Sequence, residues 1–105
     1  MGPPLVKNVL VLGLGKFGSR IVQELAPRKG VRIFAFDQSE EALRRVVEMV
    51  HTGASGDLNH PEVLEAFLEE QKRIDVAVVS LGRASNPSIL AAIQLLDRKV
   101  PHIII

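Results

Sequence analysis

Three glycines near the amino terminus have the spacing of a phosphate-binding turn. Gly13, Gly15 and Gly18 read G-x-G-x-x-G within the apolar segment VLVLGLGKFGSRIVQEL. In such a turn the first glycine permits a tight bend, the second lets a pyrophosphate approach the backbone, and the third lets a helix pack closely on a strand. The helix amino terminus then offers unpaired N–H groups and a partial positive charge to the phosphates. The alternative is that the glycines serve only close strand–helix packing.

An acidic residue follows at the distance expected of a ribose-binding carboxylate. Asp37 comes about 20 residues after the third glycine, at the end of the apolar stretch VRIFAF. A carboxylate there accepts hydrogen bonds from the ribose hydroxyls and would repel the 2′-phosphate of NADP, and Gln38 follows instead of the arginine that a 2′-phosphate requires. The pair favours NAD or another adenosine nucleotide. Alternatively, Asp37 caps the next helix.

Two side chains lie between the second and third glycines. Lys16 can reach a phosphate as a point charge, or it can be an ordinary solvated lysine. We expect Phe17 to belong to the core rather than to stack on a base, because it begins an apolar stripe of helical period.

Apolar runs and helical patterns alternate along the chain and place the glycine turn between a strand and a helix. The patterns predict strands at residues 9–12, 31–36, 50–54, 74–81 and 101–105, and helices at 16–28, 39–49, 61–72 and from 86 onward. Ser39 is expected to cap the second helix. Alternating strands and helices imply parallel pairing with right-handed crossovers. We therefore expect an α/β fold, a doubly wound Rossmann-like parallel sheet in strand order 3-2-1-4-5.

The composition is that of one ordinary globular domain spanning residues 1–105. The net charge of +1 gives no indication of nucleic acid or an anionic membrane as partner. The absence of cysteine excludes disulfides and thiol chemistry, and the absence of tyrosine excludes a tyrosine–lysine acid for carbonyl reduction. His51, His60 and His102 lack metal-ligand spacing. Apolar runs are shorter than the roughly 20 residues that span a bilayer.

The chain resembles the RCK or KTN nucleotide-binding domain (TrkA-N type) of bacterial potassium-transport regulators, the Trk and Ktr systems. Four segments carry the resemblance: VLGLGKFGSRIVQEL at 11–25, FDQSEEAL at 36–43, HTGASGDLNHPEVL at 51–64 and VAVVSLGRASNPSILAAIQLL at 76–96. The phrase GLGKFG is more specific than the bare glycine spacing. The later pair Gly56-Asp57 separates this family from general dehydrogenases.

The resemblance implies a sensor that binds NAD(H) or ATP/ADP at the carboxyl ends of the strands and performs no chemistry of its own. It implies a membrane potassium channel or transporter subunit as partner, assembly into homodimers or larger rings, and a cytoplasmic location peripheral to the membrane. The implied ligand contacts are Gly13, Leu14, Gly15, Lys16, Phe17 and Gly18 at the phosphates, Asp37 and Gln38 at the ribose, Asp57 and Leu58 beside the adenine, and Leu81, Gly82 and Arg83 across the cleft.

The chain departs from the family pattern in two places. Lys16 stands where many members have arginine, so a bidentate phosphate contact would become a point contact. Arg83 begins a stretch, RASN, where acidic residues or asparagine are common, so a calcium site in that loop is not expected. Arg83 either brings positive charge toward a phosphate or is solvated.

The last predicted strand, PHIII, is apolar and ends at the last residue, so we expect either a fragment of a longer chain or a strand edge covered by a partner. Relatives continue past this strand. The alternative functions are the cofactor domain of an NAD-dependent dehydrogenase, separated from its substrate domain, and a scaffold whose nucleotide site has decayed.

Overall fold

The protein is a five-stranded parallel sheet with helices on both faces. The computed structural model describes residues 6–71, 73–82 and 85–105. The strands are β1 (Lys7–Leu12), β2 (Val31–Asp37), β3 (Thr52–Ser55), β4 (Val76–Val79) and β5 (His102–Ile104). The helices are α1 (Lys16–Leu25), α2 (Glu40–Arg44), α3 (Pro61–Glu70) and α4 (Asn86–Asp97), with a 3₁₀ turn at Val47–Met49. The strand order β3-β2-β1-β4-β5, parallel throughout, confirms the predicted fold and strand order.

The central strand β1 separates two halves of the sheet that are connected in opposite directions. Its last residue, Leu12, pairs with Phe36 on one side and with Val79 on the other. The chain leaves β1 through α1 toward β2, whereas β4 leads through α4 toward β5. The two connections pack on opposite faces, so a crevice opens above the carboxyl ends of β1 and β4. Open α/β sheets bind their ligands at such a point.

Two apolar clusters, one on each face of the sheet, form the core. Leu10 and Leu12 face the cluster of α3 and α4, whereas Val9 and Val11 face the cluster of α1 and α2. Burial of successive residues on both faces explains why β1 reads as a continuous apolar run rather than an alternating one. The core therefore fixes the carboxyl end of β1, where the glycine turn begins.

The helix predicted at residues 39–49 is wrong in length. Ser39 does cap α2, accepting the N–H of Ala42 at 3.1 Å, but α2 ends at Arg44. Val46 has a non-helical backbone (φ −117°, ψ 0°) and buries its side chain among the α1 and α2 cluster. Val47, the next residue, is 49% exposed. Adjacent β-branched residues have low helix propensity, and here burial of one valine outweighs continuation of the helix.

Other element ends differ from the prediction by a few residues. Helix α1 ends at Leu25 rather than at residue 28. Ala26 keeps helical backbone angles (φ −53°, ψ −42°), but the proline at position 27 has no N–H with which to continue the helix. Strand β4 covers Val76–Val79 of the predicted 74–81. Helix α3 ends at Glu70, and Lys72, the predicted end, lies outside the described residues.

Candidate functional site

The turn between β1 and α1 requires glycine at its first position. Gly13 has a φ of +96°, in the region that L side chains rarely adopt, and its N–H donates to the carbonyl of Phe36 at 2.8 Å. A Cβ on Gly13 would lie 2.1 Å from the backbone oxygen of Ser80. The first glycine thus lets the turn pass between the ends of β2 and β4.

The other two glycines of the motif differ sharply in what surrounds them. A Cβ on Gly18 would lie 1.7 Å from the carbonyl oxygen of Gly13, so the third glycine permits close packing of α1 on the turn. A Cβ on Gly15 would meet nothing within 4 Å. Packing therefore accounts for Gly13 and Gly18, whereas Gly15 faces open space at the start of α1.

The amino terminus of α1 is suited to an anion. Gly15 is the N-cap residue and offers no side-chain cap, and no acidic residue occupies the first turn. The first N–H groups of a helix have no partner within it, and the helix dipole adds partial positive charge there. Lys16, the first helical residue, is exposed and adds a full positive charge beside these N–H groups.

Asp37 ties the glycine turn to the end of β2. Its Oδ2 accepts the N–H of Leu14 at 2.6 Å, and its Oδ1 accepts the N–H of Ser39 at 2.7 Å. Ser39, not Asp37, is the N-cap residue of α2. Each carboxylate oxygen has a second acceptor position, so the half-buried carboxylate can still receive hydroxyl hydrogen bonds while its orientation is fixed.

Two adjoining cavities lie along the carboxyl edge of the sheet. The first, about 270 Å³, lies above β1 and β4, and the second, about 550 Å³, lies above β2 and β3; Gln38 lines both. Of the predicted residues, the first cavity brings together Gly13, Asp37, Gln38, Leu58 and Leu81. The second places Gln38 beside Asp57, with Glu40, Ser55 and Gly56. The predicted ribose and adenine residues are therefore neighbours.

Asp57 and Leu58 have different environments in the loop after β3. The N–H of Asn59 and, second, its side-chain amide donate to Asp57 Oδ1 at 2.9 and 3.1 Å, and these bonds lower the pKa of the Asp57 carboxyl. Asp57 Oδ2 lies 3.6 Å from His60 Nε2. Leu58 is 3% exposed and belongs to the α3 and α4 cluster. The loop thus offers an ionised carboxylate beside an apolar floor.

The far wall of the crevice is formed by the end of β4 and the start of α4. Gly82 has a φ of +91°, and a Cβ there would meet nothing within 4 Å. Ser85 caps α4 by accepting the N–H of Ser88 at 3.2 Å. Arg83, which was expected near a phosphate or in solvent, lies outside the described residues.

Sequence reasoning missed three residues that line the first cavity, namely Ser80, Ser85 and Pro87. Ser85 and Pro87 belong to a recognisable helix start, S-N-P, which lies at the carboxyl edge of the sheet because it follows β4. Ser80 carries no such signal, since it lines the cavity only because β4 ends one residue earlier.

The expectation that Phe17 lies in the core is wrong. Its side chain is 65% exposed and lies on a groove beside α1 rather than in the crevice. Gly18 and Val22, one turn apart, are the buried residues of α1. Phe17 comes one residue before Gly18 and is therefore rotated by about 100° around the helix axis from the buried face. Its side chain points to the side of the helix.

Within residues 6–71, 73–82 and 85–105, no group of three or more histidine or acidic side chains could hold a metal ion. In the same part of the chain, no helix is long and apolar enough to cross a membrane.

Residues 9–105 match the profile of the TrkA-N domain family. A comparison with curated protein sequences found no match. Among solved structures, saccharopine dehydrogenase from Saccharomyces cerevisiae is 18% identical, with a TM-score of 0.72 over 91% of this chain and 21% of that one. The N5-carboxyaminoimidazole synthetase of Staphylococcus aureus, complexed with ADP, is 18% identical, with a TM-score of 0.64 over 95% of this chain and 24% of that one.

A variant of actinorhodin polyketide ketoreductase, solved with NADPH, is 26% identical, with a TM-score of 0.60 over 79% of this chain and 36% of that one. The chain spans about a fifth to a third of the length of these three structures. They share its fold, and they combine that fold with different cofactors and chemistries.

Proposed function

Since the chain belongs to the TrkA-N domain family, a Rossmann-type nucleotide-binding domain, we propose that it senses NAD(H) and controls a potassium channel or transporter without chemistry of its own. The observation that carries the nucleotide site is the contrast among the three glycines. Protein atoms occupy the space beside Gly13 and Gly18, whereas the space beside Gly15 is empty and adjoins the amino terminus of α1. A pyrophosphate there would approach the backbone as closely as the motif requires.

The nucleotide would extend from α1 toward the loop after β3. Its phosphates would meet the N–H groups of residues 15–18 and the ammonium of Lys16, and its ribose hydroxyls would donate to Asp37. The adenine would lie on Leu58, with Asp57 Oδ2 accepting from the exocyclic amine. The proposed contacts lie along one edge of the sheet, around the amino terminus of α1 and the two adjoining cavities.

The adenosine end favours NAD(H) over NADP(H). Both oxygens of Asp37 are fixed by backbone N–H groups, so the carboxylate is held in place beside the ribose position. Gln38, Glu40 and Asp57 line the adjoining cavity, and two of these three are acidic. A 2′-phosphate there would meet negative charge without a compensating arginine among the described lining residues.

The crevice is poorly equipped for proton transfer. Among the described residues that line the cavity above β1 and β4, Asp37 alone is titratable. Both of its oxygens accept backbone N–H groups, and the Ser85 hydroxyl is engaged in capping α4. Hydride-transfer enzymes also need protein groups that hold the substrate and move a proton. This favours sensing, in which NAD and NADH select different conformations of the domain.

A thermal-shift panel with NAD, NADH, NADP, ATP, ADP and AMP, followed by calorimetry, tests the ligand. A ligand at about 100 times its Kd adds about 2.7 kcal/mol to the free energy of unfolding. We expect NAD and NADH to stabilise the protein and NADP to stabilise it less. In Asp37→Ser, the difference between NAD and NADP should disappear. Asp97→Ser, at the exposed end of α4, is the matched control. If ATP or ADP binds instead, the sensor responds to ATP/ADP; stabilisation by none of the six contradicts the proposal.

The second candidate is the cofactor domain of an NAD-dependent dehydrogenase. It is favoured by the likeness of the fold to saccharopine dehydrogenase and to a ketoreductase. Nicotinamide absorbance, followed with panels of small hydroxy, amino and keto acids, separates the two functions. Turnover of any such substrate supports the dehydrogenase, whereas binding without turnover supports the sensor.

The regulatory part of the proposal requires a membrane partner, with this domain on the cytoplasmic side. The test is potassium flux through vesicles that contain a Trk- or Ktr-type membrane subunit, with and without this protein. We expect flux to depend on the protein and to differ between NAD and NADH. If potassium flux is the same with NAD, with NADH and in the absence of the protein, the regulatory function is contradicted.

A further inference from the structure

A separate cavity lies at the amino-terminal edge of the sheet, opposite the edge that carries the nucleotide crevice. It is found where β4 and β5 begin and where α3 and α4 end, and residues 68, 71, 73–75 and 98–101 line it. Its volume of about 290 Å³ is close to the 270 Å³ of the cavity above β1 and β4. We call it the amino-edge cavity.

The amino-edge cavity is lined by more positive than negative charge. Arg73, Arg98 and Lys99 line it, and Asp75 is the acidic residue among its described lining residues. Two of the three cations are paired, because Arg73 Nε lies 3.3 Å from Asp75 Oδ2 and Arg98 pairs with two glutamates of α3. Among the carboxylates in the described part of the chain, none pairs with Lys99. Lys99 therefore brings an uncompensated positive charge to the cavity.

Helix α4 ends in a turn that ordinarily contains glycine where this chain has Lys99. The N–H of Val100 donates to the carbonyl of Leu95 at 3.1 Å, and the N–H of Lys99 donates to the carbonyl of Leu96 at 2.9 Å. These two bonds form the common closing motif of a helix, in which the left-handed residue is usually glycine. Lys99 has a φ of +59° although it carries a Cβ. Strained backbone of this kind clusters at functional sites.

The segment before β4 is fixed to the central strand. Asn8, which is 8% exposed, donates its side-chain amide to the carbonyl of Arg73 at 2.7 Å and its backbone N–H to Asp75 Oδ2 at 2.8 Å. The N–H of Asp75 donates back to the carbonyl of Asn8 at 2.9 Å. Arg73 also donates from Nη2 to the carbonyl of Val6, and its Nη1 can still donate to a ligand. Such a preorganised donor costs less entropy when a ligand binds.

We propose that the amino-edge cavity binds a small organic acid. Its carboxylate or phosphate group would meet the ammonium of Lys99 and Nη1 of Arg73, and its short apolar part would lie on Ile74 and Val100. Apolar walls with a few polar groups are typical of small-molecule sites, and this volume is at the lower end of their range. The ligand is therefore an acid of few carbon atoms. Because the cavity lies at the opposite edge of the sheet, its occupation does not require the nucleotide.

NMR titration of the ¹⁵N-labelled protein with pentanoate, at constant ionic strength, tests the site. We expect saturable shifts in the amide signals of residues 73–75 and 98–101. Pentanamide, which has a similar shape and no charge, should bind at least about tenfold more weakly. Propyl phosphate in a parallel titration shows whether the site prefers a phosphate, and saturable binding of either acid at these residues supports the proposal.

Two results of the titration would overturn the proposal. Saturable shifts confined to residues 13–18 would show that the acid binds at the amino terminus of α1 instead. Shifts that spread over the surface without saturation would show that the acid binds only nonspecifically.

Substitution of Lys99 separates its charge from its backbone. Lys99→Gly relieves the left-handed strain, so the variant should be at least as stable as the wild type, yet it should bind pentanoate at least about tenfold more weakly. Lys99→Arg keeps the charge and should retain most of the affinity. Lys29→Gly removes the same charge from an exposed position outside the cavity and should leave pentanoate binding unchanged.

The affinity for NAD keeps this proposal distinct from the proposed function. Lys99→Gly should bind NAD as the wild type does, because Lys99 lies at the other edge of the sheet. Wild-type affinity for pentanoate in Lys99→Gly would overturn the proposed acid site and leave the nucleotide site standing.

Discussion

Two single-methyl substitutions in the glycine turn should separate the requirements of folding from those of ligand binding. Gly18→Ala adds a methyl group 1.7 Å from the carbonyl oxygen of Gly13, and Gly15→Ala adds one with nothing within 4 Å. The two variants carry the same change three residues apart in the same motif. Any difference between them therefore comes from the surroundings of the added carbon.

The expected magnitudes follow from that difference. Cβ atoms essentially never approach other heavy atoms within 3.0 Å, so Gly18→Ala forces α1 and the turn apart by more than an ångström. Such overpacking against backbone costs about 3 kcal/mol or more, which lowers the Tm of a domain of this size by roughly 10 °C or more.

Gly15→Ala should be nearly neutral for stability. Gly15 has a φ of −70° and a ψ of −157°, at the edge of the extended region that alanine adopts, so the lower chain entropy of the unfolded state favours the variant by at most about 0.4–1 kcal/mol. Alanine is a poorer N-cap residue than glycine, which offsets this by a similar amount. The same methyl would occupy the space that we assign to the phosphates, so affinity for NAD should fall at least about tenfold, or about 1.4 kcal/mol.

Urea denaturation of the ligand-free proteins and calorimetric titration with NAD measure the two effects independently. Gly18→Ala should be unstable, and Gly15→Ala should be stable but defective in binding. Wild-type affinity for NAD in Gly15→Ala would refute the assignment of the open space to phosphates. Wild-type stability in Gly18→Ala would refute the close packing of α1.

Three further substitutions have defined outcomes. Asp37→Asn replaces one acceptor oxygen by an amide donor that faces a backbone N–H, so urea denaturation should show that the free energy of unfolding falls by about 1–2 kcal/mol. An unchanged free energy of unfolding would contradict these two hydrogen bonds. The Arg98 guanidinium holds the pKa of the Glu65 carboxyl below its usual value, so their pairing stabilises the fold above the ordinary Glu pKa of 4.5 and less as pH falls through the lowered value. Arg98→Met should therefore be less stable than the wild type at neutral pH, and the difference should shrink in acid; a constant difference would argue against the ion pair. Lys99 has a φ of +59° just after α4, so Lys99→Gly should raise the free energy of unfolding by about 0.5–1 kcal/mol; destabilisation would show that the lysine side chain contributes more than the backbone strain costs.

The fold could be predicted from the sequence because its strongest signals are local. Continuous apolar runs separated by helical patterns identify parallel strands, and crossover handedness then restricts the order of β1 to β5. The short strand β3 is indicated mainly by its position between two helices, since TGAS has little strand character of its own. The length of α2 could not be predicted, because burial of Val46 against the sheet, a tertiary effect, ends the helix early.

The candidate site was predictable where a motif fixes residue types, and less so where packing decides. The glycine spacing and Asp37 identify one edge of the sheet without any structure. The exposure of Phe17 depends on which side of α1 packs on the sheet. The apolar residues between positions 17 and 25 cover so wide an arc of the helix that several rotations of α1 about its axis would bury most of them. Because Gly18 and Val22 take the buried face, the phenylalanine lies at the side of α1, on an apolar groove that Val76, Val78 and Ile104 also line. A glycine in the buried face of a helix carries no hydrophobic signal.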